Sequence, residues 1–255
     1  MQWGLSVLSQ RFGRFCCAIA LLFGGSYALA LPPLGLTPLT VEGERFTRLS
    51  VIDGVAYVST PQGVWNIASS GTKSFSEFEH PTFGTPFRIT AVVKVSDENL
   101  YAAANFLIAP DHRAAALYRL DTPDTPVVTW DDDPSTGLPG NPSIAGIDEN
   151  LRILGNIPSE LDPFRTAARF ELDGSFMPLA IPQGSDYVGI GDVSPKGFAL
   201  GVGHYPFSIG EDSVLWMPDD SLSFLGTGGT AFRLSDRSDG LGLNLSFILF
   251  PSAVK

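Results

Sequence analysis

Residues 97–105 read DENLYAAAN, and residues 148–156 read DENLRILGN. Each stretch is a polar turn, a short apolar run and an asparagine. The same phrase, with other letters, surrounds Asp53-Gly54, Pro195-Lys196-Gly197 and Asp239-Gly240. The first residue after the five turns is always apolar: Val55, Leu100, Leu151, Phe198 and Leu241. The recurrence interval is about 45 residues, the length of one four-stranded sheet in a tandem array.

Working outward from each turn gives strands a to d. Strand b follows the turn: 55–59, 100–104, 151–155, 198–202 and 241–245. Strand c carries a large aromatic at one place: Trp65, Tyr118, Phe170 and Trp216. Strand d follows a second polar turn and covers 73–78, 126–130, 176–181 and 222–225. Short apolar runs split by Gly, Pro and Asp turns predict antiparallel meanders. The chain has 27 glycines, 20 prolines and only 17% charged residues, which fits strands covered on both faces. One such sheet cannot bury both faces alone, so neighbouring copies must stack. The expected fold is all-β, a β-propeller of about five four-stranded antiparallel blades. The alternative is a β-sandwich or an open stack of sheets. Four copies are full. The fifth, from Phe232 onward, has room for little beyond strands a and b, and residues 36–41 are expected to complete it as an outer strand.

The chain is expected to hold a signal peptide, 1–30, and one repeat domain, 31–255. Arg11 and Arg14 form a positive n-region, residues 15–23 a short apolar run, and Ala28-Leu29-Ala30 a small-x-small cleavage site. Loss of this segment removes both cysteines, Cys16 and Cys17, so no disulfide holds the exported fold. It also removes two basic residues from a chain whose formal charge is already −11. An acidic surface excludes nucleic acid as a partner. No later run is long or apolar enough to span a bilayer as a helix. The expected location is secreted or periplasmic. The expected partner is an extracellular or cell-surface ligand or protein, and the expected state is a monomer.

The fourth copy carries a resemblance. Residues 191–203, GDVSPKGFALGVG, are followed by DSVLW at 212–216 and FLGTGGT at 224–230. Across residues 187–246 this resembles the HAF-type repeats of bacterial extracellular proteins. Those repeats show an Asn-x-x-Gly turn, a Val-Val-Gly strand, an Ala-Phe-Leu-Trp strand and a Leu-Gly-Thr-Leu-Gly-Gly link. Here the link lacks one leucine and the turn is Ser194-Pro195-Lys196-Gly197. The resemblance implies a secreted, propeller-like fold and carries over no catalytic residues.

In a meander the a–b and c–d turns share one end, and the b–c and d–a loops share the other. The first end is uniform. Its aspartates, Asp53, Asp97, Asp148 and Asp239, are expected to form turns through side-chain to backbone bonds. The second end varies in length and holds all three histidines, His80, His112 and His204. Long loops on a rigid scaffold are where binding groups collect. The candidate binding set is therefore Asn105, Asp111, His112, Arg113, Asn156, Asp162, Arg165, His204, Tyr205 and Glu211. Asn105 and Asn156 fall five residues after Leu100 and Leu151, and Arg113, Arg165 and Glu211 fall five before the strand-c aromatic. Such repeated positions also suit bonds between neighbouring sheets.

No nucleophile elbow, zinc helix, phosphate loop or dinucleotide fingerprint is present. No catalytic residue and no cofactor are expected. Asp131-Asp132-Asp133 offers the hard oxygens that Ca²⁺ takes but lacks the alternating spacing of a calcium loop. The expected function is a binding or scaffolding module. The alternative is a hydrolase of a glycan or similar polymer, which would need two carboxylates about 5–9 Å apart in a deep pocket. Asp97, Asp148 and Asp192 could be put forward for that role, but two of them are already accounted for as turn residues.

Overall fold

Register is set at the a–b turns. Asp53 and Gly54 both take positive φ, 51° and 77°, the mirror-image turn geometry whose twist suits a two-residue hairpin. So β1 (Arg48–Ile52) and β2 (Val55–Ser59) pair antiparallel, with Ile52 opposite Val55. Strands β3 (Gly63–Ile67) and β4 (Lys73–Glu77) complete the first sheet in the order β1-β2-β3-β4.

The second sheet starts with a broken strand, β5 (Arg88–Ile89) and β6 (Val93–Lys94), both paired with β7 (Leu100–Ala109). It continues through β8 (His112–Arg119) and β9 (Pro126–Trp130). The third comprises β10 (Ser143–Ile147), β11 (Ile153–Pro158), β12 (Arg165–Phe170) and β13 (Phe176–Pro178). The fourth comprises β14 (Tyr187–Val193), β15 (Ala199–His204), β16 (Glu211–Trp216) and β17 (Leu222–Thr227). One parallel bridge, Thr166 to Val188, links β12 to β14. A fifth unit begins with the pair β18 (Thr230–Asp236) and β19 (Leu243–Ile248).

The computed structural model describes residues 46–110, 112–131, 141–158, 165–185, 187–204, 211–227, 230–236 and 243–248. All lie in one compact unit, Glu44–Lys255. The expected signal peptide, the expected closing strand 36–41 and the Asp239-Gly240 turn lie outside these residues.

The fold is all-β, built from successive antiparallel meanders, the blade arrangement of a β-propeller. Strands β2 and β9 run over the residues that the pattern predicts. The third strand b does not start at Leu151. That residue has a φ of 61°, because Asp148 Oδ1 accepts from both Asn150 N–H and Arg152 N–H at 2.8 Å and widens the turn. The stretch 105–113, expected as a loop, is mostly strand. Apolar residues at Phe106, Leu107 and Ile108 prolong β7, and His112 and Arg113 open β8 opposite them.

Three apolar clusters sit between successive sheets. The first joins Tyr57, Val64 and Phe78 to Ile89, Ala102, Ala104, Ala116 and Tyr118. The second joins Tyr101, Ala103, Ala115, Leu117 and Trp130 to Ile144, Ile153 and Phe170. The third joins Ala145, Leu154 and Ala167 to Val188, Ala199, Val214 and Trp216. Alternate residues of β7 and β8 enter different clusters, as a period of two requires. Their alanines let two sheets approach one backbone from both sides.

Glycine marks the tightest approaches. A Cβ at Gly155 would lie 2.2 Å from Ser143 O, and one at Gly201 would lie 2.4 Å from the Trp216 ring. Trp216 is fully buried, and its indole N–H donates to Ala180 O at 2.9 Å, across to the third sheet. Trp130 of the second sheet also reaches the third, donating to Glu171 O at 3.0 Å.

Two stability predictions follow from this packing. Trp216→Ala should cost about 3–5 kcal/mol in denaturant unfolding, as for other buried aromatics, and a near-neutral result would contradict its place between sheets. The Tyr118 hydroxyl is buried with no hydrogen-bond partner among the described residues. Tyr118→Phe should therefore be neutral or stabilising by up to about 1 kcal/mol in the same assay, since no bond is lost and no polar group is left buried.

Candidate functional site

The loop-rich end is built by the hairpin β7–β8 and by the segments after β4 and β9. Leu107 and Ile108 stand 52% and 40% exposed near the hairpin tip. Below them, the Arg113 guanidinium lies 5.8 Å from the centre of the Phe87 ring, close enough for cation–π attraction. Arg113 N–H donates to Asn141 Oδ1 at 2.8 Å, which pins the segment entering β10. His112 Nε2 lies 2.8 Å from Asp131 Oδ1, both partly exposed.

His80 belongs to the interior. Its ring stacks on Phe83 at 4.1 Å, and its Nδ1 accepts from the N–H groups of Thr82 and Phe83 at 3.1 and 3.3 Å. That places the proton on Nε2, which donates to Thr129 Oγ1 at 3.2 Å. Burial lowers the pKa of His80 below the usual imidazole range, with the Asp131 charge opposing. This histidine is a neutral, fully bonded core residue.

Asn105 and Asn156 form joints between sheets. Asn105 is fully buried; its Nδ2 donates to Ile144 O at 3.1 Å and its Oδ1 accepts from Ile144 N–H at 2.7 Å. Asn156 repeats this with Ile190, at 2.9 and 2.6 Å. In the first sheet Ser59 takes the place, its Oγ donating to Thr90 O at 2.8 Å. Each amide side chain thus imitates one strand residue and bonds both backbone groups of its neighbour. Arg165, His204 and Glu211 sit at strand ends on this side, with Arg165 opposite Pro158 and His204 opposite Glu211. Asp111, Asp162 and Tyr205 lie outside the described residues. The described members of the set are therefore spread over successive sheets.

The opposite end is locked turn to turn. Ser96 N–H donates to Glu149 O at 3.0 Å, and Glu149 N–H donates to Pro195 O at 2.8 Å. Lys94 pairs with Asp53 at 3.0 Å and Lys196 with Glu149 at 2.7 Å. Arg152 reaches Gly197 O at 2.7 Å and pairs with Asp220. Asp97 accepts from Asn99 N–H at 2.9 Å and from Tyr101 Oη at 3.0 Å. Burial raises the Asp148 carboxyl above its ordinary pKa, against its two backbone donors. Asp97 and Asp148 are turn residues in geometry as well as in sequence.

A further pocket, missed in the sequence, runs along the first strands. Its cavity is about 20 Å³, room for about one water, and it is lined by residues of β1, β10 and β14 and of the segment around β6. Arg48 of the first sheet reaches Asp192 of the fourth within it, Nη2 to Oδ1 at 2.5 Å, with side chains 17% and 5% exposed. Asp192 is the one carboxylate among its described lining residues. The signal was present: Arg48 and Arg88 both open a strand a and are separated by nearly one period. Strand a is the least regular element, broken in the second sheet and bulged in the third and fourth, which hid the correspondence. No group of three or more metal-ligating side chains occurs among the described residues.

No family model matches the chain, and no curated protein matches it. Solved structures similar to it include a TolB-type protein of Agrobacterium tumefaciens, at 13% identity and a TM-score of 0.49, covering 75% of this chain and 65% of that one. Another is the extracellular domain of a one-component system of B. thetaiotaomicron, at 15% identity and a TM-score of 0.47, covering 82% of this chain and 26% of that one. A third is virginiamycin B lyase of Staphylococcus aureus, at 8% identity and a TM-score of 0.40, covering 80% and 70%. The chain thus spans less than two thirds of the first two. Likenesses this distant bear on neither activity nor ligand. No helix among the described residues is long and apolar enough to cross a membrane.

The two kinds of loop-end residue should separate in stability measurements. Asn105→Ala leaves a buried N–H and C=O of Ile144 unbonded and should cost about 2–4 kcal/mol. His112→Ala together with His204→Ala should leave cooperative melting intact. Equal losses in both variants would contradict this division of roles.

Proposed function

We propose that this chain is an exported binding or scaffolding module that meets an extracellular or cell-surface partner through its loop-rich end. The observation that carries this reading is the asymmetry between the two ends. One end spends its turns on bonds to neighbouring turns. The other raises the β7–β8 hairpin, with Leu107 and Ile108 exposed at its tip and Phe87 held under Arg113. Exposed apolar and aromatic groups with an adjacent arginine are the usual composition of a contact surface. The HAF-type resemblance and the N-terminal pattern at 1–30 support export, with the working domain at 31–255. The remaining candidate residues, including Asp111, Asp162 and Tyr205, belong to the same end by chain order. Asp131-Asp132-Asp133 joins them there, so Ca²⁺ dependence is part of the test.

A glycan array and a panel of cell-surface components, each run with and without Ca²⁺, should give at least one saturable binder. Leu107→Glu with Ile108→Glu should abolish that binding while the melting temperature stays unchanged. Binding that survives this pair of substitutions would place the contact elsewhere. Recovery of an exported protein starting at Leu31, read by intact mass, checks the location independently.

A further inference from the structure

The turn that links the first and second sheets is built around an imidazole. His80 and Gly84 bond each other through both backbone groups at 2.9 Å, and Gly84 takes a φ of 70° to close the turn. Inside it the His80 residue is only 7% exposed. Its Nδ1 does the work of a backbone carbonyl, accepting from the N–H groups of both Thr82 and Phe83. Phe83 stacks on the ring, Phe106 of β7 meets it at 5.5 Å, and the two phenyl rings lie 5.6 Å apart. Nε2 ties the same ring to Thr129 of β9. One side chain thus joins the exposed turn to two strands of the second sheet. Its two backbone bonds require Nδ1 to carry no proton.

We propose that His80 is an acid-released latch: a proton on Nδ1 frees the 80–84 turn from the second sheet and uncovers Phe83 and Phe106 beside the hairpin tip. Imidazolium has two N–H donors and no acceptor. The Thr82 and Phe83 N–H groups would then point at a third donor, and a positive ring would sit almost out of water. Strands β7 and β9 bring no charged residue to offset this. Asp131, just beyond β9, favours the proton, but burial outweighs it and holds the His80 pKa below the ordinary 6.5. At the start of β8, His112 is paired with Asp131 and Arg113 lies over Phe87. Glu77 and Glu79, on the approach to the turn, are exposed. An unfolded chain takes up the proton at the ordinary imidazole value, and the latched turn takes it only at lower pH. The latch therefore contributes its full stability above that value and loses it as the pH falls. It rests on contacts within the fold, so it holds whether or not the loop-rich end meets a partner.

The test is imidazole NMR and amide exchange on the purified protein, taken from about pH 8 to about pH 4. The chain has three histidines, so the ring signals are few enough to assign. His80 should carry its proton on Nε2 at neutral pH and should titrate below the ordinary imidazole value. Corrected for intrinsic exchange rates, Thr82 and Phe83 should lose protection by up to about tenfold for each pH unit below that value, the slope of a one-proton linkage. The Ile144 amide, bonded to Asn105, should stay protected throughout. In His80→Asn the side-chain oxygen can still accept both backbone bonds but cannot titrate. That variant should keep Thr82 and Phe83 protected at every pH. A His80 ring that titrates at or above the ordinary value, or that carries its proton on Nδ1, would overturn the proposal without any variant having to fold. So would protection that ignores pH, loss at Ile144 in step with the turn, or a pH dependence that survives in His80→Asn.

Discussion

A four-stranded antiparallel sheet has two faces, and the sheets of this chain present apolar residues on both. Everything else follows from the need to cover each face with another sheet. The requirement explains why β7 and β8 carry runs of alanine. Ala102, Ala104 and Ala116 meet the first sheet, while Ala103 and Ala115 meet the third. A larger side chain at these positions would have to displace a neighbouring backbone, because interiors of this density leave no slack. The large aromatics Tyr118, Phe170 and Trp216 come near the ends of the third strands, beyond the alanine runs, and are buried between sheets.

Stacking leaves a polar problem at the inner strands. Where strand a is bulged or broken, its ladder bonds to strand b are interrupted, and buried backbone groups must find other partners. The bulges after Ile144 and Ile190 have the same remedy. The amide of Asn105 bonds Ile144 and the amide of Asn156 bonds Ile190. These asparagines come from the preceding sheet, so the repair of one strand also fixes the spacing between two sheets. The turn-to-turn bonds through Ser96, Glu149 and Pro195 do the same at the other end.

Most of the architecture was legible because the turns are written in the sequence. Asp-Gly and Asp-Glu-Asn turns, an apolar strand b and a strand-c aromatic are local signals, and the observed strands follow them closely. The site was less legible for a physical reason. Asn105 and Asn156 recur in the sequence because equivalent joints recur in the array, and a repeated polar residue looks the same whether it meets a ligand or a neighbouring sheet. Loop length was misjudged at 105–113, because a strand that overhangs its sheet has the residues of a loop tip and the pairing of a hairpin. The pocket lined by Arg48 and Asp192 depends on contacts between residues as far apart as the first and fourth sheets, and no local pattern reports such a distance.

That contact carries the strongest statement about shape in the described chain. Arg48 can reach Asp192 only if the row of sheets curves back on itself, since an open, straight stack would hold the first and fourth sheets three sheet spacings apart, roughly 30 Å. Curvature brings the first strands toward one axis, and that convergence creates the pocket. The ion pair need not be the cause of the curvature, because burying two charges costs about as much as their attraction returns. The apolar stacking and the twist supply the drive. Curved sheets then force a few inner side chains into a common, poorly hydrated space, and charged residues placed there must answer one another.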